Sequence, residues 1–129
     1  MKAISIKQPW AWAIAEGHKT IETRTWSTNY RGELLIVSSK KPDKDMLFFL
    51  PDAWVNWIGV NVTNDMLLYG QALCIADLVD CHPMKPEEAD KALCSIYTDA
   101  QSWVFENIRK IDPFPVKGQL NIYSVDVNL

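Results

Sequence analysis

The run Leu-Leu-Ile-Val at residues 34–37 constrains the fold of this 129-residue chain more than any other feature. Successive side chains of a strand point to opposite faces of the sheet, so four consecutive aliphatic residues predict a strand that is covered on both faces. Gly32 precedes the run and Ser38 follows it, which bounds a strand over residues 33–38. The sheet that contains this strand must therefore be flanked by helices or curved into a barrel.

Other segments have the composition or the alternation of strands, namely residues 3–6, 20–26, 70–81, 103–105 and 122–127. In the longest of these, one face is expected to hold Ala72, Cys74, Ala76 and Leu78, and the other Leu73, Ile75 and Val79. A strand with apolar residues on both faces again predicts a sheet that is covered on each side.

Helices are predicted between these strands. The first begins at Pro9, because proline suits the first helical position, and ends at Gly17. A second begins near Pro42, and a third covers residues 87–93 with two acidic residues in its first turn. This order of elements predicts an α+β fold: a small β-barrel of five or six strands with two or three helices packed outside, in a single domain over residues 1–129.

Composition excludes several classes of protein. Hydrophobic residues make up 48% of the chain and charged residues 22%, as in an ordinary globular domain. The 3 cysteines include no Cys-x-x-Cys pair, which argues against a disulfide scaffold or a metal site. The apolar runs are too short to cross a membrane, and the first residues lack the features of a secretory signal. We therefore expect a cytoplasmic protein with no metal, no cofactor and no membrane attachment.

Charge is distributed unevenly along the chain. The whole sequence carries 13 basic and 16 acidic residues, but the first 44 residues hold eight basic and four acidic ones. A protein that coats duplex DNA usually carries a much larger positive excess, because binding to many phosphates releases counterions. An anionic partner would therefore meet a local basic patch, and the alternative is chance clustering on a solvated face.

The segment 17–26 holds the residues best suited to binding or chemistry. Side chains two residues apart in a strand share a face, so Glu22, Arg24 and Trp26 are expected on one side. A carboxylate, a guanidinium and an indole in one row could line a cleft for a base or a nucleotide. The alternative is a partly exposed ion pair that only orders the strand. Lys19 lies in the turn before the strand, where alternation does not fix its direction.

The spacing Gly17-x-Lys19-x-x-Glu22-x-Arg24 resembles the signature of the ASCH domain family. Further segments in the same order are similar to ASCH domains: ISIKQPWA at 4–11, YRG at 30–32, SKKP at 39–42, ADLVDC at 76–81 and FPVKG at 114–118. The resemblance covers residues 3–126 and is weakest over 43–66. It implies a small PUA-like β-barrel.

The resemblance also implies a cleft on the barrel that binds RNA or a nucleotide, with a role in RNA metabolism or regulation. Lys19, Glu22 and Arg24 would form its polar lining, and Trp26 would lie at its rim. The nearest candidates for contacts with backbone phosphates are Arg31, Lys40 and Lys117. Phosphate contacts would position the ligand, while Glu22 and an aromatic surface could discriminate a base.

Two other functions stay open, so the sequence does not decide whether the chain is an enzyme. Some of the ASCH proteins that the chain resembles are hydrolases. If this chain is one, Lys19 and Glu22 would be the catalytic residues of a ribonuclease or a modified-nucleoside amidohydrolase. Glu22 stands where the amidohydrolases have a threonine, so their nucleophile is missing at that position. Alternatively, Trp54 and Trp57 could form an exposed lip for a protein partner.

Overall fold

The computed structural model describes residues 1–49 and 59–127. The strands within these ranges are β1 (Lys2–Ile6), β2 (Ile21–Arg24), β3 (Gly32–Ser38), β4 (Gln71–Pro83), β5 (Gln101–Pro115) and β6 (Ile122–Ser124). The helices within them are α1 (Trp10–Ala15), α2 (Lys44–Phe49) and α3 (Ala89–Ala92), with turns of 3₁₀ helix at Asn64–Met66 and Pro86–Glu88. The tryptophans predicted as a partner surface, Trp54 and Trp57, lie outside the described residues.

One sheet holds all the strands of the described ranges, in the order β2-β5-β4-β3-β1-β6. Strands β1 and β3 are parallel, and the other neighbouring pairs are antiparallel. The sheet curls into a half-barrel that carries the helices, which confirms the predicted α+β fold. Because β1 pairs with both β3 and β6, the segment that precedes β6 is brought beside the N-terminal strand.

The aliphatic run lies in β3, and both faces of that strand are covered, as predicted. Leu34 and Ile36 belong to the cluster that includes Ile14 of α1. Leu35 and Val37 belong to a second cluster on the opposite face. All four residues of the run are 0% exposed. Burial of one such side chain contributes roughly 1.5–3 kcal/mol, so this strand anchors the core of the domain.

The end of α1 determines how β2 begins. Gly17 has a φ of +80°, in the left-handed region that glycine adopts at little cost. The backbone N–H groups of His18 and Lys19 both donate to the Ala13 carbonyl, at 2.9 and 3.1 Å. The chain therefore reverses at the helix end, and Lys19 lies against α1 where β2 begins.

Strand β5 is longer than the sequence predicted. It spans 15 residues, whereas the prediction covered only 103–105. Its second half pairs with β4 but carries exposed side chains, including Glu106 and Lys110. This half of β5 lies beyond its pairing with β2, at the edge of the sheet, where polar side chains give little hydrophobic alternation, so the pattern missed it.

Two further elements differ in detail from their predictions. The predicted helix 87–93 is a 3₁₀ turn followed by α3, and it ends at Leu93 with a φ of +56°. The ladder between β4 and β5 has an irregularity between Ala72 and Cys74, and Leu73 packs in the same cluster as Cys74. The predicted assignment of these side chains to opposite faces is therefore wrong at this position. No helix in the described ranges has the length and apolar character needed to span a bilayer.

Candidate functional site

A cavity of about 470 Å³ opens beside the turn that joins α1 to β2. Its wall combines β1, the β2 region, the turn after α3 and the segment before β6. It contains the predicted site residues Lys19, Glu22, Arg24 and Trp26. It also contains Ser5, Trp10, Thr23, Cys94, Tyr97 and Asn121. The structure therefore brings the polar residues of the motif to one hollow that is reached from solvent.

Lys19 is almost completely buried, with 1% of its surface exposed. Its ammonium donates a hydrogen bond to the Ala92 carbonyl at the end of α3. The same nitrogen lies 3.5 Å from Glu22 Oε1 and 4.8 Å from the ring centroid of Trp10. Burial lowers the pKa of the Lys19 amine below its ordinary 10.5, while the Glu22 carboxylate opposes that shift. The lysine thus joins β2, α3 and α1 from inside the wall.

Glu22 lies between the two cations of the motif. It is 6% exposed, and its Oε2 is 3.2 Å from Arg24 Nη2 while its Oε1 faces Lys19. Oε1 also accepts the backbone N–H of Thr23 at 3.2 Å. Both carboxylate oxygens are therefore engaged by the protein itself. A buried carboxylate needs such partners, because its charge is costly to remove from water.

Arg24 is the member of this group that reaches the cavity surface. Its side chain is 27% exposed. Nη2 donates to the Ser5 carbonyl of β1 at 2.9 Å and pairs with Glu22. Nε is buried and has no hydrogen-bond partner among the described residues. No contact among the described residues uses Nη1, so its N–H groups are the donors that a ligand in the cavity could reach.

Aromatic rings form the apolar part of the lining. Trp26 packs edge-on against buried Trp103, with ring centroids 4.8 Å apart and planes at 83°. The indole N–H of Trp103 donates to the Trp26 carbonyl at 3.2 Å, so the position of Trp26 is fixed by the core. Trp10 and exposed Tyr97 line other parts of the cavity. Rings held in this way could stack with a flat heterocycle.

A groove of about 450 Å³ adjoins the cavity. The cavity and the groove share Ser5, Lys7, Ser39, Gln119 and Leu120. The cations of the groove are Lys7, Lys40, Lys41 and Lys117, and its lining contains no carboxylate. Lys40 and Lys117, both predicted as phosphate contacts, therefore lie next to the cavity rather than inside it. We call this surface the lysine groove.

Arg31 lies apart from both surfaces, although it was predicted with the same role. Its guanidinium donates to the carbonyls of Thr28 and Tyr30, at 2.9 and 2.8 Å. It also lies 3.9 Å from a carboxylate oxygen of Asp80 on β4. It belongs to the lining of neither the cavity nor the lysine groove. The structure thus separates Arg31 from the residues with which it was grouped.

A histidine between two carboxylates fastens the segment that leads into α3. His82 Nδ1 lies 2.8 Å from Asp80 Oδ2, and His82 Nε2 lies 2.9 Å from Glu88 Oε2. Glu88 also accepts the Ser102 hydroxyl at 3.1 Å. Burial of the ring disfavours its charged form, but the hydrogen bonds with both acids outweigh burial and raise the pKa of His82 above 6.5. This network secures the turn before α3, whose end supplies the Ala92 carbonyl.

Several cavity residues were not identified from the sequence. Trp10 and Cys94 were not among the predicted site residues, yet both line the cavity, and Cys94 Sγ lies 3.7 Å from the Thr23 hydroxyl. Tyr97 and Asn121 lie far from the motif along the chain, and only the tertiary fold brings them to it. In the part of the chain that the structure describes, no three His, Cys, Asp or Glu side chains are grouped to hold a metal ion.

Comparison with known proteins gives a match to a family model. The ASCH domain model matches residues 4–115. The chain is 30% identical over 135 aligned positions to activating signal cointegrator 1 of Homo sapiens and to that of Mus musculus. The alignment covers 95% of this chain but only 22% of each relative. The similarity therefore concerns one part of those longer proteins.

Solved structures give a similar fold at low identity. ASCH from Zymomonas mobilis superposes with a TM-score of 0.62 at 12% identity, covering 97% of this chain and 87% of the other. A mutant of the same protein gives a TM-score of 0.61 and covers 89% of that chain. At this level of identity the agreement concerns the fold alone.

Proposed function

This chain belongs to the ASCH domain family, and from that premise and the geometry of the cavity we propose that it binds single-stranded RNA. The family is generally linked to RNA binding. One unstacked base enters the cavity formed around Arg24, Glu22 and Trp26. The flanking phosphates lie along the lysine groove. Binding of this kind would serve RNA metabolism or its regulation.

The continuity of the cavity with the lysine groove carries the proposal. A cavity with polar and aromatic lining is suited to a base, and a row of lysines without a carboxylate is suited to phosphates. Because the two share a wall that includes Ser5 and Gln119, one strand can occupy both. This local arrangement also explains how a chain of net charge −3 could bind a polyanion.

The usual energies of base stacking and of phosphate contacts indicate a moderate affinity for RNA. Stacking of one base on an aromatic ring contributes about 1–3 kcal/mol. Each neutralised phosphate of a single strand changes the slope of log K against log salt concentration by about −0.7. If Lys7, Lys40, Lys41 and Lys117 each neutralise one phosphate, the slope is about −3.

Fluorescence anisotropy with a labelled single-stranded RNA, measured over a salt series, tests the proposal. We expect Lys40→Ala/Lys117→Ala to weaken binding and to reduce the slope to about −1.5. The matched control is Lys85→Ala/Lys91→Ala, which removes two exposed lysines outside both surfaces and should leave the slope unchanged. Equal slopes for the two double variants would contradict the proposed path of the strand.

A hydrolase acting on the same class of ligand is the second candidate, because the Lys19 amine has a lowered pKa and lies 3.5 Å from Glu22. A lysine of this kind can act as a base or a nucleophile. Mass spectrometry of RNA and modified nucleosides after incubation would detect products. Turnover that Lys19→Met abolishes in a folded variant would favour the enzyme, and the absence of new masses would favour the binding module.

A further inference from the structure

We propose, building on the RNA-binding function above, that Arg24 selects the base in the cavity and that the selected base carries a carbonyl group. The observation behind this is an unequal use of hydrogen-bonding groups within the motif. Lys19 and Glu22 are occupied by the protein, whereas Arg24 is only partly occupied. The ligand therefore meets the guanidinium.

The ammonium of Lys19 has three N–H donors and three neighbours that accept them. These neighbours are the Ala92 carbonyl, the Glu22 carboxylate and the face of Trp10. With 1% of the residue exposed and its donors engaged by the protein, Lys19 offers a bound base almost no surface. Lys19 holds the other two residues of the motif in place rather than contacting the base.

Glu22 is occupied in the same way. One oxygen accepts from the Thr23 backbone N–H and faces Lys19, and the other faces Arg24. A base that presented an amino group to this carboxylate would have to displace one of these partners. The carboxylate therefore fixes the guanidinium and is not the group that discriminates the base.

Arg24 has hydrogen-bond donors that the protein leaves unused. A guanidinium carries five N–H donors in a rigid plane. In the contacts of the described residues, Nη2 makes both interactions, with the Ser5 carbonyl and with Glu22. The unpaired Nε is buried out of a ligand's reach, but Nη1 makes no contact among the described residues and the side chain is 27% exposed in the cavity. The free donors need an acceptor on the ligand.

The chemistry of the bases then determines which of them fits. Arginine binds the O6 and N7 acceptors of guanine, whereas adenine has an amino donor at its sixth position. Two donors that face each other repel, so the amino group of adenine would meet the Arg24 guanidinium unfavourably. Adenine is therefore disfavoured, and a base with a carbonyl beside a ring nitrogen is favoured.

A phosphate oxygen is also an acceptor, so the test must separate base from backbone. Short RNA strands with one central nucleotide between abasic positions serve this purpose. The centre is inosine, adenosine or abasic, and inosine has a carbonyl where adenosine has an amine. Affinities of the wild type, Arg24→Met and Arg24→Lys are measured by anisotropy. Thermal unfolding of each variant establishes that it is folded.

We expect the wild type to bind the inosine strand at least about tenfold more tightly than the adenosine strand, as for one hydrogen bond to a charged donor. Arg24→Met should reduce this preference to about onefold and change abasic binding little, if the guanidinium binds the base. Arg24→Lys keeps the charge but loses the planar fork, so it should retain abasic affinity and lose most of the preference.

Three results would overturn the inference. Equal wild-type affinity for inosine and adenosine strands would remove base selection while leaving RNA binding intact. An equal loss for abasic and inosine strands in Arg24→Met would assign the arginine to a phosphate. Failure of every strand to bind the wild type would overturn the proposed function itself, and this inference with it.

Discussion

Replacement of Lys19 by methionine tests whether the buried ion pair holds the cavity wall together. Methionine has a similar length and keeps apolar contact with Trp10, but it leaves the Ala92 carbonyl and one oxygen of Glu22 without their cation. Removing one partner of a buried pair costs about 3–5 kcal/mol when the remaining charge has no other partner. Here Arg24 stays 3.2 Å from the second oxygen of the carboxylate, so the cost is smaller.

We expect Lys19→Met to lower the free energy of unfolding by about 2 kcal/mol, because loss of the ion pair is offset partly by the burial cost of the ammonium. This loss is a large fraction of the free energy of unfolding of an ordinary domain, which is about 5–15 kcal/mol. For a chain of this size the midpoint of urea unfolding should fall by about 1 M. The fluorescence of the 6 tryptophans provides the signal.

The double variant Lys19→Met/Glu22→Gln supplies the control. In a Glu22→Gln background the ammonium has no carboxylate to pair with, so Lys19→Met should cost less there than it does in the wild type. If Lys19→Met unfolds at the wild-type midpoint, or if it costs the same with and without Glu22, the proposed ion pair is refuted.

Three further predictions concern the surroundings of the cavity. Hydrogen bonds to two acids outweigh burial and raise the pKa of His82 in the folded protein, so the stability that His82 adds is present below pH 6.5 and lost as the pH rises through the raised pKa. The difference in urea midpoint between wild type and His82→Gln should therefore shrink between about pH 5.5 and about pH 9. A difference that stays constant over this range would contradict the prediction. Bound RNA should slow alkylation of Cys94 in the cavity but not of Cys81, which lies outside the cavity lining. Peptide mass spectrometry measures both rates, and a Cys94 rate that RNA does not change would place the RNA outside the cavity. The methyl group added by Gly17→Ala would meet no atom within 4 Å, but the residue would have to keep a φ of +80°. The free energy of unfolding should therefore fall by about 1 kcal/mol and the melting temperature by a few degrees. An unchanged melting curve would show that the turn relaxes.

The local parts of the site could be predicted because strand geometry is periodic. Alternation in β2 places Glu22 and Arg24 on one side, and both line the cavity. Lys19 could not be placed in this way, because it lies in the turn. Its direction depends on the Ala13 carbonyl, which accepts two N–H groups after the helix, and on the Ala92 carbonyl, which belongs to a distant helix.

The remaining wall of the cavity depends on contacts that no short pattern contains. Tyr97 follows α3, and Asn121 reaches the motif because β6 pairs with β1. Cysteine is usually a small buried residue, so nothing in the sequence marks Cys94 as a cavity residue. In β4 the irregularity near Leu73 breaks the two-residue period, and a strictly alternating pattern cannot anticipate it.

The position of the base in the complex is the most direct test of the account. RNA that contains 4-thiouridine can be irradiated on the wild-type protein, and the crosslinked peptides can be identified by mass spectrometry. We expect crosslinks at Trp10, Trp26 or Tyr97, which line the cavity. Crosslinks confined to residues outside the cavity and the lysine groove, with none at these three rings, would contradict it.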